Sequence, residues 1–88
     1  MTDATYLPFD LRLVLTPTAG RVRFYPPCSF AAGSERVEVG QALARLERGR
    51  HQTVVRAPVG GTVSSVLAIE GEPVAANQPL FAIAPEER

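Results

Sequence analysis

The chain has 88 residues, 45% of them hydrophobic, with eight prolines, seven glycines and no Trp, enough for one domain with one core and about 60–65% of its extended surface buried. Nine basic residues balance nine acidic ones, so the basic excess that nucleic-acid binding demands is absent. All nine basic residues are Arg, and the chain contains no Lys.

Residues 1–8 read as a lead-in ending at Pro8. Residues 9–15 (FDLRLVL) alternate apolar with polar as far as Leu13, the period of a half-buried strand. Residues 16–20 (TPTAG) form a turn, and 21–25 (RVRFY) alternate again as a second strand. The Pro-rich insertion 26–33 (PPCSFAAG) interrupts, because two consecutive prolines cannot donate to a ladder. Residues 36–39 are a short strand, and Gly40 turns the chain into 41–47 (QALARLE). This run has helix-forming composition and i, i+3 leucines, but Gly40 and Gly49 bracket it below a typical helix length, which makes it a strand. A tight turn at Gly49 and Arg50 leads into 52–57 (QTVVRA), rich in β-branched residues. A turn at 58–61, a strand over 62–69 kinked at Ser64 and Ser65, a turn at 70–73, a short strand at 74–76 and a last strand at 78–83 complete the chain. Residues 85–88 read as a solvated charged tail. Many short strands punctuated by Gly and Pro mean an all-β sandwich or barrel.

The chain repeats itself. Residues 16–22 (TPTAGRV) match 57–63 (APVGGTV), and 36–46 (RVEVGQALARL) match 73–83 (PVAANQPLFAI), placing Val37 on Val74, Gln41 on Gln78, Leu43 on Leu80 and Leu46 on Ile83. Two related halves predict a sandwich with quasi-two-fold symmetry and an insertion on one half only.

These stretches, with 37–47 (VEVGQALARLE), 55–63 (VRAPVGGTV), 69–74 (IEGEPV) and 78–83 (QPLFAI), resemble the biotinyl/lipoyl carrier domain family, most closely its biotin carboxyl carrier type. The resemblance covers roughly residues 11–84. It implies a barrel-sandwich hybrid over 9–84, a flattened barrel of two four-stranded antiparallel sheets with the cofactor hairpin at one end. In the biotinyl type the tip normally reads Glu-Ala-Met-Lys-Met, and biotin acylates the Lys amine. The match sets Glu47 on the family Glu, Arg48 on Ala, Gly49 on the first Met, Arg50 on Lys and His51 on the second Met, without a gap to Pro58. Attachment needs a neutral amine as nucleophile, and a guanidinium stays protonated with its lone pair delocalised. With no Lys elsewhere, the resemblance implies a carrier scaffold without a side-chain attachment point and therefore no cofactor.

The residues singled out for interaction are Arg48, Gly49, Arg50 and His51 at the tip, and Tyr25 and Phe30 around the Pro-rich insertion. Arg at the tip suits bidentate contact to a carboxylate or phosphate, whereas the plain reading is a two-residue hairpin turn relieved by Gly49. One His is too few for a His-pair phosphocarrier or a catalytic zinc site. The single Cys28 permits neither an intramolecular disulfide nor a Cys-based metal site and reads as a small packed side chain. Tyr25, Pro26, Pro27 and Phe30 either cap the barrel end or dock a partner. The N-terminal residues lack the pattern of a signal peptide, and the apolar runs are too short for a bilayer, so a cytoplasmic protein without membrane or nucleic-acid partners is expected. The resulting expectation is a non-enzymatic binding module working with carboxylase subunits or true carrier proteins. The alternatives are an adaptor of an unrelated complex, in which the Tyr25 to Phe30 loop would support a homo-oligomer, and an ordinary carrier.

Overall fold

The computed structural model describes residues 11–25 and 35–86. Eight strands form in chain order: β1 (Arg12–Leu15), β2 (Gly20–Phe24), β3 (Arg36–Val37), β4 (Ala42–Arg48), β5 (His51–Arg56), β6 (Gly61–Val66), β7 (Pro73–Val74) and β8 (Pro79–Pro85). They pair antiparallel in two four-stranded sheets, one ordered β1-β8-β6-β3 and the other β5-β4-β2-β7. Advancing each strand by four turns the first order into the second. The quasi-two-fold expected from the repeat is thus a property of the topology.

The hydrogen bonds repeat as well. Gln41 Oε1 accepts from Glu38 N–H at 2.9 Å, and its counterpart Gln78 accepts from Ala75 N–H at 3.0 Å. Gly40 N–H donates to Ala57 O at 2.8 Å, and Asn77 N–H donates to Thr16 O at 2.7 Å. Gly40 and Asn77 occupy the same place in the two halves and both have positive φ, 84° and 63°.

The core lies between the sheets, filled by Val22, Leu43, Leu46 and Val55 from one and Val37, Val63, Leu80, Phe81 and Ile83 from the other. Full burial of side chains of this size stabilises by about 1.5–3 kcal/mol each. The helix-like spacing of Leu43 and Leu46 is reconciled with a strand by a bulge. Ala42 pairs with Arg56 and Ala44 with Val55, so Leu43 is the extra residue, and Leu43, Ala44 and Leu46 all turn inward. The other half does the same: Leu15 pairs with Pro79 and Val14 with Phe81, leaving Leu80 as the extra, fully buried residue. The kink expected at Ser64 and Ser65 is a third bulge, since Val63 pairs with Ile83 and Ser65 with Ala82.

Two positions hold the sheets in place. A Cβ added at Gly61 would stand 2.1 Å from Ala84 O, so only Gly lets β6 cross β8 there. Thr16, buried at the end of β1, donates its hydroxyl to Ala75 O and accepts from Gln78 N–H at 2.9 Å, tying β1 to the loop between β7 and β8.

Several boundaries differ from the sequence expectation: β2 and β6 begin at Gly20 and Gly61, inside the expected turns, and β3 and β7 end at Val37 and Val74, earlier than expected. Strand β6 ends at Val66 rather than residue 69; its last ladder pair is Val66 with Phe81, and Leu67 N–H makes one more bond to the same partner strand, at Leu80 O. Strand β7 begins at Pro73, inside the expected turn. Strand β8 runs to Pro85, and beyond it Glu86 N–H donates to Gly60 O while its carboxylate pairs with Arg36, so the start of the expected tail is part of the sheet's margin. The Pro-rich insertion, with Cys28 and Phe30, lies outside the described residues.

Candidate functional site

The hairpin β4–β5 extends past the core. Leu46 is the last fully buried residue of β4, and Arg48, Gly49, Arg50, His51 and Gln52 are all exposed. Register is fixed by the pairs Leu46 with Thr53, Glu47 with Gln52 and Arg48 with His51, which leaves Gly49 and Arg50 as a two-residue loop. Gly49 has φ of 60° and Arg50 is not in the positive-φ region. This is the sign pattern of a type II′ turn, whose twist suits a hairpin and whose first central position favours Gly. Gly49 therefore sets the turn, and Arg50 is displayed at its apex.

The structure brings Arg48, Gly49, Arg50 and His51 together, as the sequence predicts. Among the described residues, the side chains of Arg48, Arg50 and His51 have no hydrogen-bond or ion-pair partner. Arg48, Gly49, His51 and Thr53, with Pro17 and Thr18 of the β1–β2 turn, line an open cleft of about 630 Å³ under the inner side of the hairpin. A second groove of about 380 Å³ runs between the edge strands β1 and β5, lined among others by Leu13, Leu15, Pro17, Val54 and Pro58.

Tyr25 is placed elsewhere. It follows β2, its N–H donates to Leu43 O at 3.1 Å, and the Arg45 guanidinium lies over its ring at 5.9 Å from the centroid. It therefore shares the outer face of the β5-β4-β2-β7 sheet, away from the tip.

A cluster not singled out from the sequence lies between Tyr25 and the tip. Glu47 Oε1 accepts from Arg23 Nε at 3.3 Å and Glu47 Oε2 from Arg45 Nε at 3.0 Å. The donor from Arg45, then that from Arg23, holds the Glu47 carboxyl below the usual carboxylate range. The register explains the contact: Arg21 pairs with Glu47 and Arg23 with Arg45, so these side chains share one face. The i, i+2 spacing within 21–23 and 45–47 carries this signal, but it becomes readable only once the pairing of β2 with β4 is known.

The described residues contain no group of three or more His, Cys, Asp or Glu placed to hold a metal ion, and no helix long and apolar enough to cross a membrane.

The family model described as "Biotin-requiring enzyme" matches residues 15–83. The chain belongs to the biotinyl/lipoyl domain family. Within that family it is 35% identical over 60 residues to the biotin carboxyl carrier protein of acetyl-CoA carboxylase 2, chloroplastic, of Arabidopsis thaliana, a match covering 68% of this chain and 23% of that protein. Among solved structures, the Kluyveromyces lactis urea carboxylase superposes with a TM-score of 0.71 at 25% identity, over 96% of this chain and 7% of that one. A single-chain, multi-domain long-chain acyl-CoA carboxylase superposes with a TM-score of 0.74 at 24% identity, over 94% and 8%, and shares the fold. The biotinyl/lipoyl domain described here thus corresponds to a small part of each much longer relative. The two four-stranded sheets and the hairpin at one end are the architecture that the resemblance implies.

Proposed function

We propose that this biotinyl/lipoyl domain acts by binding and not by carrying a covalently attached group, in the place that a carrier domain takes within a carboxylase-type assembly. One observation carries the reading: the hairpin is intact in register and turn, and it presents Gly49, Arg50 and His51 in a chain with no Lys. On the gapless match from Glu47 to Pro58, Arg50 stands where the family's acceptor Lys stands. Acylation of a side chain there would require a neutral nitrogen, and the guanidinium of Arg50 supplies none. The residues present do not fit an amide-linked biotin or lipoyl group. The domain itself then has no catalytic role; it positions or competes, with Arg50 at the apex available to a carboxylate or phosphate of a partner.

The supporting comparisons are the carboxylase names of the relatives and the domain's small share of their lengths. Affinity purification from the native cell, read by mass spectrometry, tests the proposal. It should enrich a carboxylase subunit or a biotinylated carrier, and Arg50→Ala should lower the recovery. A purification that never enriches either would sink it.

A second reading, an adaptor in an unrelated complex, draws on a different observation. Leu13 and Leu15 on β1, Leu11 just before it, and Val54 on the neighbouring edge strand β5 are exposed, an apolar strip along the seam between the two sheets. Partners that all lie outside carboxylases would favour it.

A further inference from the structure

The outer face of the β5-β4-β2-β7 sheet gathers several of the domain's charged side chains. Alternation along the strands places Arg21 and Arg23 of β2, Arg45 and Glu47 of β4, and Gln52, Val54 and Arg56 of β5 on it. Four guanidinium groups share this face with one carboxylate, although the chain as a whole is neutral. Among the described residues the remaining carboxylates lie elsewhere. Glu35 and Glu38 flank β3, Glu86 follows β8, and Glu70 and Glu72 sit in the turn before β7, at one border of the face.

The cations are held in fixed positions. Glu47 takes one Nε donor each from Arg23 and Arg45, leaving the terminal nitrogens of both free of any partner among the described residues. Arg45 is also braced over the Tyr25 ring, Arg21 Nη1 donates to Gly71 O at 2.7 Å, and Arg56 Nη1 donates to Gly40 O at 3.1 Å. The side chains of Arg23 and Arg45 remain 41% and 33% exposed. Guanidinium groups anchored on one edge lose little freedom when they bind through the other, which lowers the cost of association. Their planar forks match carboxylates. The face runs out along the hairpin as far as the pair Glu47 with Gln52, while Arg48 and His51 line the cleft on the other side.

We propose that this face docks an acidic protein surface, with Arg23 and Arg45 as its central anchors and Arg21 and Arg56 at its sides. A protein partner fits better than a nucleic acid, because Glu47 at the centre and Glu70 and Glu72 at the border would repel a continuous phosphate backbone, while discrete carboxylates can be placed between them. The proposal needs only that the domain binds a protein, and it does not depend on the assembly being a carboxylase.

The test is a titration of the full 88-residue, 15N-labelled chain with a decaglutamate peptide and, separately, with a single-stranded DNA oligomer of matched charge, followed by backbone amide and arginine Nε–Hε resonances. Decaglutamate should give saturable, salt-sensitive shifts at Arg21, Arg23, Arg45 and Arg56, and Arg23→Gln and Arg45→Gln should each weaken binding at least fivefold. Arg36→Gln, on β3 of the other sheet, should leave binding unchanged. Amide spectra of the variants confirm that each is folded, and a peptide competed off wild type by unlabelled protein but not by the double variant Arg23→Gln/Arg45→Gln gives a second readout. Shifts confined to residues 48–51, shifts spread equally to Arg36, tighter binding of the oligomer than of the peptide, or no saturation would each overturn the proposal. Any of these would leave the purification result for a carboxylase partner standing.

Discussion

Glu47 is the residue on which the hairpin's electrostatics turn. Its carboxyl is held below the usual range by donors from Arg45 and Arg23, so the unfolded state takes up a proton at a higher pH than the folded state does. Its stabilising contribution is then full above the ordinary carboxylate pKa and is lost as pH falls through the lower folded value. Wild type and Glu47→Gln, compared by denaturant unfolding from pH 7 to pH 2, should differ most at neutral pH and converge in acid. A difference that does not change with pH would contradict this account. Thr16 makes a different kind of contribution, through hydrogen bonds made in a buried setting. Thr16→Val keeps the shape but leaves Ala75 O and Gln78 N–H without the hydroxyl. The expected cost is about 1–3 kcal/mol, the range for stranding buried polar groups. Thr16→Ser should keep most of the wild-type stability, and a loss for Thr16→Ser with none for Thr16→Val would show that the methyl group, not the hydroxyl, matters.

Strands and turns were largely legible in the sequence, and the exceptions have physical causes. Alternation identified β1 and β2, and Gly and Pro marked the turns. The run 41–47 was ambiguous because Leu43 and Leu46 have helical spacing; the bulge at Leu43 that resolves it depends on the partner strand β5. The hairpin tip was legible in full, since turn residues and register act over a few positions. The cluster of Arg23, Arg45 and Glu47 was not, because it exists only through the pairing of β2 with β4 across more than twenty residues. In the sequence Gly61 falls within a turn, whereas in the structure the backbone of Ala84 makes it a point of close approach between β6 and β8. Gly61→Ala should therefore destabilise by at least about 2–3 kcal/mol, as overpacking against backbone that cannot move aside does. Thermal and denaturant unfolding would measure the loss, and a change under about 1 kcal/mol would contradict the contact with Ala84 O.

At the scale of the whole molecule, the two halves are alike in strands and bulges and differ at the hairpin, because the counterpart of β4–β5 is the pair β8 and β1, which no turn joins. Strands β1 to β4 map onto β5 to β8, with matching bulges and matching Gln41 and Gln78 hydrogen bonds. The repeat builds a scaffold that projects one hairpin, and membership of the biotinyl/lipoyl family is a statement about that scaffold. In the proposed reading, function rests on the side chains at the tip and on the adjoining arginine face. The most direct measurement is the intact mass of the protein isolated from a cell with an active biotin ligase, beside that of the Arg50→Lys variant. The account predicts the unmodified mass for the natural sequence, and poor modification of Arg50→Lys, because Gly49 and His51 replace the apolar residues that flank the family's Lys. A biotin-sized or lipoyl-sized increment on the natural sequence would contradict it.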